Sequence, residues 1–209
     1  MAKVPAIEAM VLAAGASSRL RTPKALLSFD GPCALDLVVG ALREAGVSRG
    51  VVVVGEHAEA LAAAVDPAPF GWVRNPVPET GRMGSVLAGL RALTSGADIL
   101  LWPVDRPLAS AATVAALLAE RPRAAPGEGV LVPEHRGGRG HPVVLRAALL
   151  PSLVSAYPDA NLREVIQRSG TKRRAVHVDD PGIHFDLDTE SEYEKALAWW
   201  RERHRRPVR

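Results

Sequence analysis

Short, continuous runs of valine, leucine and isoleucine alternate along this chain with segments of helical periodicity. The strand-length runs are apolar at successive positions and not only at every second one, which is typical of parallel strands buried on both faces under helices. We therefore predict an α/β fold that is three-layered and doubly wound, with a mainly parallel sheet. The predicted strands are EAMVLAAG, GVVVVGE, WVRN, ADILLWPVD, GVLVPE, HPVVLR and RAVHVD.

Length and charge limit the class of protein further. The 209 residues suffice for one well-buried domain, and no apolar run reaches the roughly 18 to 20 residues of a membrane helix. Residues 201–209 hold five arginines against one glutamate, which leaves residues 1–200 with a net charge of −1 out of the total of +3. Because nucleic-acid-binding proteins carry their cations on one face of the fold, this balance argues against that class.

These properties set the expected organisation of the chain. We expect a single domain at residues 1–200, followed by a flexible basic tail at residues 201–209. A single cysteine, Cys33, excludes an intramolecular disulfide, and we assign it to packing at a helix start. We expect a cytoplasmic protein, monomeric or weakly dimeric, that binds neither nucleic acid nor membranes.

A turn of small residues follows the first predicted strand. Its backbone N–H groups can approach an anion closely. Serine hydroxyls, a forked guanidinium group and a lysine ammonium group follow in the sequence, and together these donors suit a polyphosphate. Neither the Walker sequence nor the GxGxxG fingerprint is present. The alternative is a glycine turn with surface cations. The candidate nucleotide-binding residues here are Leu12, Ala13, Ala14, Gly15, Ser17, Arg19 and Lys24.

The stretch LAAGASSRLRTPKALL resembles the LAAGxSxRxGxPKxLL signature of nucleotidyltransferases, most closely the molybdenum-cofactor cytidylyl- and guanylyltransferases. The resemblance implies a Rossmann-like nucleotidyltransferase fold, in which the loop backbone, Arg19 and Lys24 hold the phosphates of a nucleoside triphosphate. One position departs from the signature, since Arg21 replaces its second glycine. Arg21 either strains the loop, if the glycine is needed for a positive φ, or adds a cation beside the phosphates.

Acidic residues at two distant points complete this pattern. Asp105 ends the apolar run ILLWPVD, where a carboxylate near the phosphate loop would hold Mg²⁺; the alternative is an aspartate that caps the turn before the following proline. The resemblance makes Asp105 the metal-binding acid. It also matches HFDLDTESEY to the closing segment of the family, and there we choose Asp186 as the second metal ligand. Asp188 and Thr189 we interpret as helix caps, with Glu192 completing a capping box.

Two further segments are assigned to the substrates by the resemblance. Asn75 and Ser85 match family positions at the nucleotide, and we expect a helix to open at Gly84 or Ser85, although Ser85 is equally consistent with an ordinary capped helix. The pattern RxxSVxxGL from Arg82 is closer to the methylerythritol-phosphate cytidylyltransferases, which stay a rival.

The acceptor side is assigned in the same way. His141, in GHPVVL, either contacts the acceptor phosphate or is structural. The preceding HRGGRG, residues 135–140, is predicted to be a mobile substrate flap. Asp159 and Arg163 match an acceptor motif in which Asn161 replaces a glycine, so this pocket differs from that of the molybdopterin enzymes.

The resulting hypothesis is Mg²⁺-dependent nucleotidyl transfer. A phosphorylated acceptor attacks the α-phosphorus of a nucleoside triphosphate and pyrophosphate leaves, with Arg19, Lys24 and Asp105 as the catalytic groups. Ala14 favours CTP, because in the family LAAG accompanies cytidylyl transfer and LAGG guanylyl transfer. Molybdopterin is one possible acceptor. The alternatives are an isoprenoid-pathway or sugar-phosphate nucleotidyltransferase and a non-catalytic nucleotide-binding domain.

Overall fold

A computed structural model describes residues 5–15, 22–77, 81–94 and 96–204 of this chain. Strands and helices alternate as the apolar pattern predicts. The strands are β1 (Ile7–Ala13), β2 (Gly50–Val54), β3 (Gly71–Arg74), β4 (Asp98–Pro103), β5 (Glu128–His135), β6 (Gly138–Arg139), β7 (Val143–Leu145) and β8 (Lys172–His177). The α-helices are α1 (Ala34–Glu44), α2 (Ala58–Ala64), α3 (Gly81–Ala92), α4 (Ala111–Glu120), α5 (Leu150–Val154), α6 (Leu162–Arg168) and α7 (Glu190–His204).

The strands form one mixed, mostly parallel sheet in the order β3-β2-β1-β4-β7-β5-β6, with β8 also paired to β5. Strands β1 to β4 are parallel, and β8 is parallel to β5. The segment HPVVL supplies β7, which runs antiparallel to both β4 and β5 and joins the two halves of the sheet. The predicted α/β class and mainly parallel sheet are confirmed, and the antiparallel insertion is the new element.

Two hydrophobic cores lie on opposite faces of the sheet, because successive side chains of a strand point to opposite faces. Met10 and Leu12 of β1 pack with α3, α5 and α6, whereas Val11 and Ala13 pack with α1, α4 and α7. Every residue of β1 after Ile7 is buried, which accounts for the unbroken apolar run from Ala9 to Ala13, while the buried carboxylate of Glu8 accepts hydrogen bonds from Thr94. This arrangement is the three-layer architecture.

Two sequence-based predictions were wrong. The segment 135–140, predicted to be a mobile flap, is a tight hairpin between β5 and β6, in which Arg136 and Gly137 take the positive φ values of a primed turn. Helix α3 begins at Gly81, earlier than the predicted start at Gly84 or Ser85. Helix α7 ends at His204 and so includes the first four residues of the expected tail; residues 205–209 lie outside the described part, and a flexible tail there stays a prediction.

Helix α7 packs its aromatic side chains against the core. Tyr193 and Trp200 both meet the ring of Phe29 edge-on at 5.9 Å between centroids, and the Tyr193 hydroxyl donates to the Ser28 carbonyl. Cys33 is half-buried at the start of α1, and burial raises the pKa of its thiol to about 11, which agrees with a packing role. None of the described helices is both long enough and apolar enough to cross a bilayer.

Candidate active site

The carboxyl ends of four neighbouring parallel strands meet at one edge of the sheet, where ligands bind in open α/β folds. β1 ends just before Ala14 and Gly15, β3 leads into Asn75, and β4 leads into Asp105. Backbone hydrogen bonds hold these exits in place: Val104 N donates to Leu12 O at 3.0 Å, and Asn75 N donates to Val54 O at 2.8 Å. The predicted glycine turn and Asp105 therefore follow neighbouring strands.

The segment between β8 and α7 is brought to the same edge by a buried carboxylate. Asp180 accepts hydrogen bonds from Ser110 N (2.7 Å), Ser110 Oγ (2.8 Å), Thr113 Oγ1 (2.6 Å) and Gly182 N (2.9 Å). Gly182 packs directly on the backbone of Leu108, where a Cβ would lie 2.1 Å from the carbonyl oxygen. The segment is thus anchored to the start of α4 before it continues toward Asp105.

Three carboxylates meet at this point. Leu187 N donates to Asp105 O at 2.9 Å, which places the two flanking aspartates, Asp186 and Asp188, beside Asp105. Each of the three offers an oxygen within 4.8 Å of the other two. The sequence prediction paired Asp105 with Asp186 and assigned Asp188 to a helix cap. Among the described residues Asp188 belongs to the cluster instead, and Thr189 caps α7 by accepting from Glu192 N at 3.3 Å.

A cation is paired with each acid of the cluster. Arg106 Nη2 donates to Asp186 Oδ2 at 2.6 Å, and Arg82 Nη2 lies 3.9 Å from Asp105 Oδ2. The ammonium group of Lys24, predicted to bind phosphate, is ion-paired with Asp188 across 164 residues of sequence. The sequence did not point to Arg106, because an arginine inside Asp-Arg-Pro gives no indication of its partner; its position next to Asp105, the candidate metal ligand, was the signal that could have found it.

The acids of the cluster influence one another electrostatically. Burial raises the pKa of Asp186 above its usual value, Arg106 opposes this, and the neighbouring charges of Asp105 and Asp188 raise the pKa further. Such crowding of carboxylates is relieved when a cation lies between them.

The cluster fits a divalent cation. Asp105 Oδ1 and Asp186 Oδ1 are both buried and have no hydrogen-bond partner among the described residues. Buried acceptors are almost always paired, so two unpaired oxygens in one cluster indicate a missing positive partner. An all-oxygen donor set suits Mg²⁺ or Mn²⁺.

The phosphate loop is described only in part. Leu12, Ala13 and Ala14 are buried in the two cores, so they can offer a nucleotide their backbone and not their side chains. Gly15 is exposed at the end of the described stretch. Ser17, Arg19 and Arg21 lie outside the described residues, and their roles stay predictions.

Asn75 and Ser85 form a buried pair. Asn75 Nδ2 donates to Ser85 Oγ at 3.1 Å, and Asn75 Oδ1 accepts from Val77 N at 3.0 Å. Because α3 begins at Gly81, Ser85 lies in its second turn and cannot offer the helix N-terminus to a ligand, contrary to the prediction. The pair ties β3 to α3, and its contact with a nucleotide stays a prediction.

A cavity of about 780 Å³ adjoins the acidic cluster and contains His141. Its lining consists of guanidinium groups and apolar side chains, together with Asp159 and Asn161; we call the arginines its rim and the apolar residues its floor. Asn161 caps α6 by accepting from Arg163 N and Glu164 N. The arginines are Arg82, Arg106, Arg139, Arg163 and Arg173, and the apolar residues include Leu101, Val130, Val132, Val143, Leu145 and Ile166.

His141 is held neutral in this cavity. Burial, followed by the charges of Arg106 and Arg82, lowers its pKa to about 3. Its Nδ1 atom is buried and has no partner among the described residues. His141 can therefore exchange a hydrogen bond with a ligand but cannot supply a positive charge near neutral pH. Its contact with an acceptor phosphate stays a prediction.

Comparison with known proteins agrees with this fold. The sequence model of the family described as MobA-like NTP transferase domain matches residues 9–175. That match includes the glycine turn and Asp105 but ends before Asp186 and Asp188. The structure of Rv0371c from Mycobacterium tuberculosis H37Rv superposes with a TM-score of 0.80 at 26% identity, covering 94% of this chain and 100% of that chain.

Two curated relatives carry names of different activities. A protein named nicotine blue oxidoreductase, from Paenarthrobacter nicotinovorans, is 31% identical over 199 residues, covering 93% of this chain and 98% of that protein. A molybdenum cofactor guanylyltransferase from Xanthomonas euvesicatoria pv. vesicatoria is 33% identical over 110 residues, covering 53% of this chain and 52% of that protein. The second similarity is thus confined to about half of each chain.

Proposed function

The chain belongs to the MobA-like NTP transferase domain family, and from that premise we propose that it is a metal-dependent nucleotidyltransferase acting on a phosphorylated acceptor. The observation that carries the proposal is the three-carboxylate cluster with two unpaired buried oxygens, which shares Arg82 and Arg106 with the arginine-rich cavity. This arrangement has a place for a triphosphate, for a divalent cation and for an anionic acceptor. The reaction releases pyrophosphate as the nucleoside monophosphate is transferred.

Positioning and charge neutralisation are what such a reaction requires of the protein, because a phosphate oxygen is already a nucleophile. Asp105, Asp186 and Asp188 would hold Mg²⁺ or Mn²⁺, and that ion would offset the charge of the phosphates. Lys24 is near enough to pair with Asp188 and can turn its ammonium group to a bound triphosphate. Arg82, near Asp105, can contact both reacting phosphates from the rim of the cavity.

The acceptor class follows from the cavity lining. Guanidinium groups on the rim bind phosphate in a forked geometry, and the apolar floor can bury a ring or a carbon chain. A phosphorylated acceptor with a sizeable apolar or planar part, such as molybdopterin, suits both. A sugar phosphate leaves the floor unused, which makes the sugar-phosphate alternative the weaker one.

For the base we propose CTP, on the resemblance of the LAAG turn to cytidylyltransferases. The relatives named guanylyltransferases make GTP the alternative. The two are separated by turnover with CTP, GTP, UTP and ATP in turn.

The test is pyrophosphate release with Mg²⁺ or Mn²⁺ and a panel of acceptors: molybdopterin, methylerythritol phosphate and a sugar 1-phosphate. We expect Asp105→Asn and Lys24→Ala to lower turnover on the order of 10² to 10³ fold, as loss of other charge-stabilising groups does. Asp179→Asn is the matched control, because that carboxylate is fully exposed. Near-normal turnover of the first two variants contradicts the assignment, and nucleotide binding without pyrophosphate release from any acceptor favours a non-catalytic domain.

A second candidate is an oxidoreductase. One observation favours it: the relative that matches over nearly its whole length is named nicotine blue oxidoreductase. A reduced nicotinamide nucleotide carries a pyrophosphate that the glycine turn could accept, and the apolar cavity floor could hold a planar electron acceptor. Oxidation of such a nucleotide in the presence of nicotine blue, without any pyrophosphate release in the first assay, would replace the transferase proposal.

A further inference from the structure

Arg106 occupies a position between the acidic cluster and the cavity. Its guanidinium donates to Asp186, while the side chain also lines the cavity, and its charge helps to lower the pKa of His141 there. The backbone is fixed, since Arg106 N donates to Pro103 O at 3.1 Å and its carbonyl accepts from Trp102 Nε1 at 2.8 Å. Because the side chain keeps 29% of its exposure, the guanidinium has room to change partners while the backbone stays in place.

A divalent cation at the cluster competes with this ion pair. Arg106 is bonded to Asp186 Oδ2, and the other oxygen of the same carboxylate is one of the two unpaired buried atoms. A cation at that oxygen lies within a few ångströms of the guanidinium, and like charges at such a distance repel strongly in a partly buried site. The cluster is also already partly neutralised by Arg106, which weakens its attraction for a metal.

We propose that Arg106 is a displaceable counter-ion that couples the metal site to the cavity. Metal binding releases the guanidinium from Asp186, and the released group turns into the cavity, where it binds the anionic part of the ligand. Metal and anionic ligand therefore strengthen each other's binding. This inference rests on the metal site of the proposed function and assigns to Arg106 a ligand-binding role.

Arg82 and Lys24 do not have the same geometry. Arg82 also lines the cavity, but its nitrogen is 3.9 Å from Asp105, beyond hydrogen-bonding distance. Lys24 is paired with Asp188 and is not part of the cavity lining. Among the described residues, Arg106 combines a short hydrogen bond to the cluster with a place in the cavity wall.

The experiment measures Mn²⁺ affinity by the electron paramagnetic resonance of free Mn²⁺, with and without phenyl phosphate as an anionic probe of the cavity. Without the probe, Arg106→Gln should bind Mn²⁺ about tenfold more tightly than the wild type, because the competing charge is gone. The probe should tighten Mn²⁺ binding in the wild type, and this gain should be about fivefold smaller in Arg106→Gln. Any direct contact between phosphate and metal contributes equally to both proteins and cancels in the comparison.

Arg106→Lys keeps the positive charge and should retain most of the coupling. Arg123→Gln is the control for loss of an exposed arginine, since Arg123 donates to Ala119 O and Glu120 Oε1 at the end of α4 and does not line the cavity. Equal Mn²⁺ affinity of the wild type and Arg106→Gln, or an unchanged effect of phenyl phosphate, overturns the inference about Arg106 while Asp105→Asn still weakens Mn²⁺ binding. If Asp105→Asn leaves Mn²⁺ affinity unchanged, the metal site itself is refuted and the inference with it.

Discussion

Replacing Asp180 by asparagine should lower both the stability of the protein and the affinity of the acidic cluster for a metal ion. The carboxylate accepts four hydrogen bonds, three of them on Oδ2 from Ser110 and Thr113 and one on Oδ1 from Gly182 N. An amide can direct its oxygen to Ser110 and Thr113, but its NH₂ group then faces the N–H of Gly182, donor against donor. One bond to a charged acceptor is lost, at about 1.5–3 kcal/mol, and the others become weaker neutral bonds. We expect the free energy of unfolding to fall by about 3 kcal/mol.

Urea unfolding followed by circular dichroism measures this change, and Mn²⁺ titration of the folded variant measures the effect on the site. Mn²⁺ affinity should fall as well, because the anchored segment carries Asp186 and Asp188. The matched control is Asp179→Asn, whose carboxylate is fully exposed and should change stability by no more than about 0.5 kcal/mol. The reasoning is refuted if Asp180→Asn is as stable as Asp179→Asn.

Three further changes test other parts of the structure. Because the pKa of His141 lies at about 3 in the folded protein, below its ordinary 6.5, the unfolded chain takes up a proton first as the pH falls. The free energy of unfolding should therefore decrease from pH 6.5 toward pH 3. Urea unfolding across this range should show that the wild type takes up about one proton more on unfolding than His141→Gln does. Gly140→Ala places a Cβ 2.2 Å from the Ile183 carbonyl oxygen and should lower the free energy of unfolding by about 1–3 kcal/mol. An alanine substitution at a solvent-facing position should leave the free energy of unfolding almost unchanged. Arg121→Met leaves the buried Asp98 carboxylate without the guanidinium that donates to it at 2.9 Å, and should cost about 3–5 kcal/mol in the same assay; a loss below 1 kcal/mol contradicts the pairing.

The strands were predictable because strands buried on both faces are apolar at consecutive positions. An unbroken apolar run such as that of β1 has one stable location, the middle of a covered sheet, and the structure confirms it. The direction of a strand could not be predicted, because the antiparallel strand β7 has the same apolar composition as the parallel strands. The segment 135–140 misled for a related reason: glycine and arginine favour a loop, but they also provide the positive φ values of a tight hairpin turn.

The site was predictable where a residue's type and its place in the sequence indicate a chemical role without knowledge of its partners. An acid after a buried strand pointed to Asp105, and paired acids in an extended segment pointed to Asp186. The role of Asp188 was assigned from its position before a helix. Its partner, Lys24, is 164 residues away in the sequence, so the residues around Asp188 do not indicate this ion pair. Arg106 was missed for the same reason, because ion pairs across the fold depend on how segments are brought together.

The segment from Asp180 to Asp188 follows the last described strand, and it is held to the rest of the described structure by side chains and by two backbone hydrogen bonds, from Leu187 N to Asp105 O and from His141 N to Ile183 O. During synthesis the sheet and its glycine turn can be complete while the cation-binding centre is still missing two of its three acids. A chain released after residue 179 contains every described strand yet should be unable to retain manganese, and this competence should arise only once residues 180–188 are added.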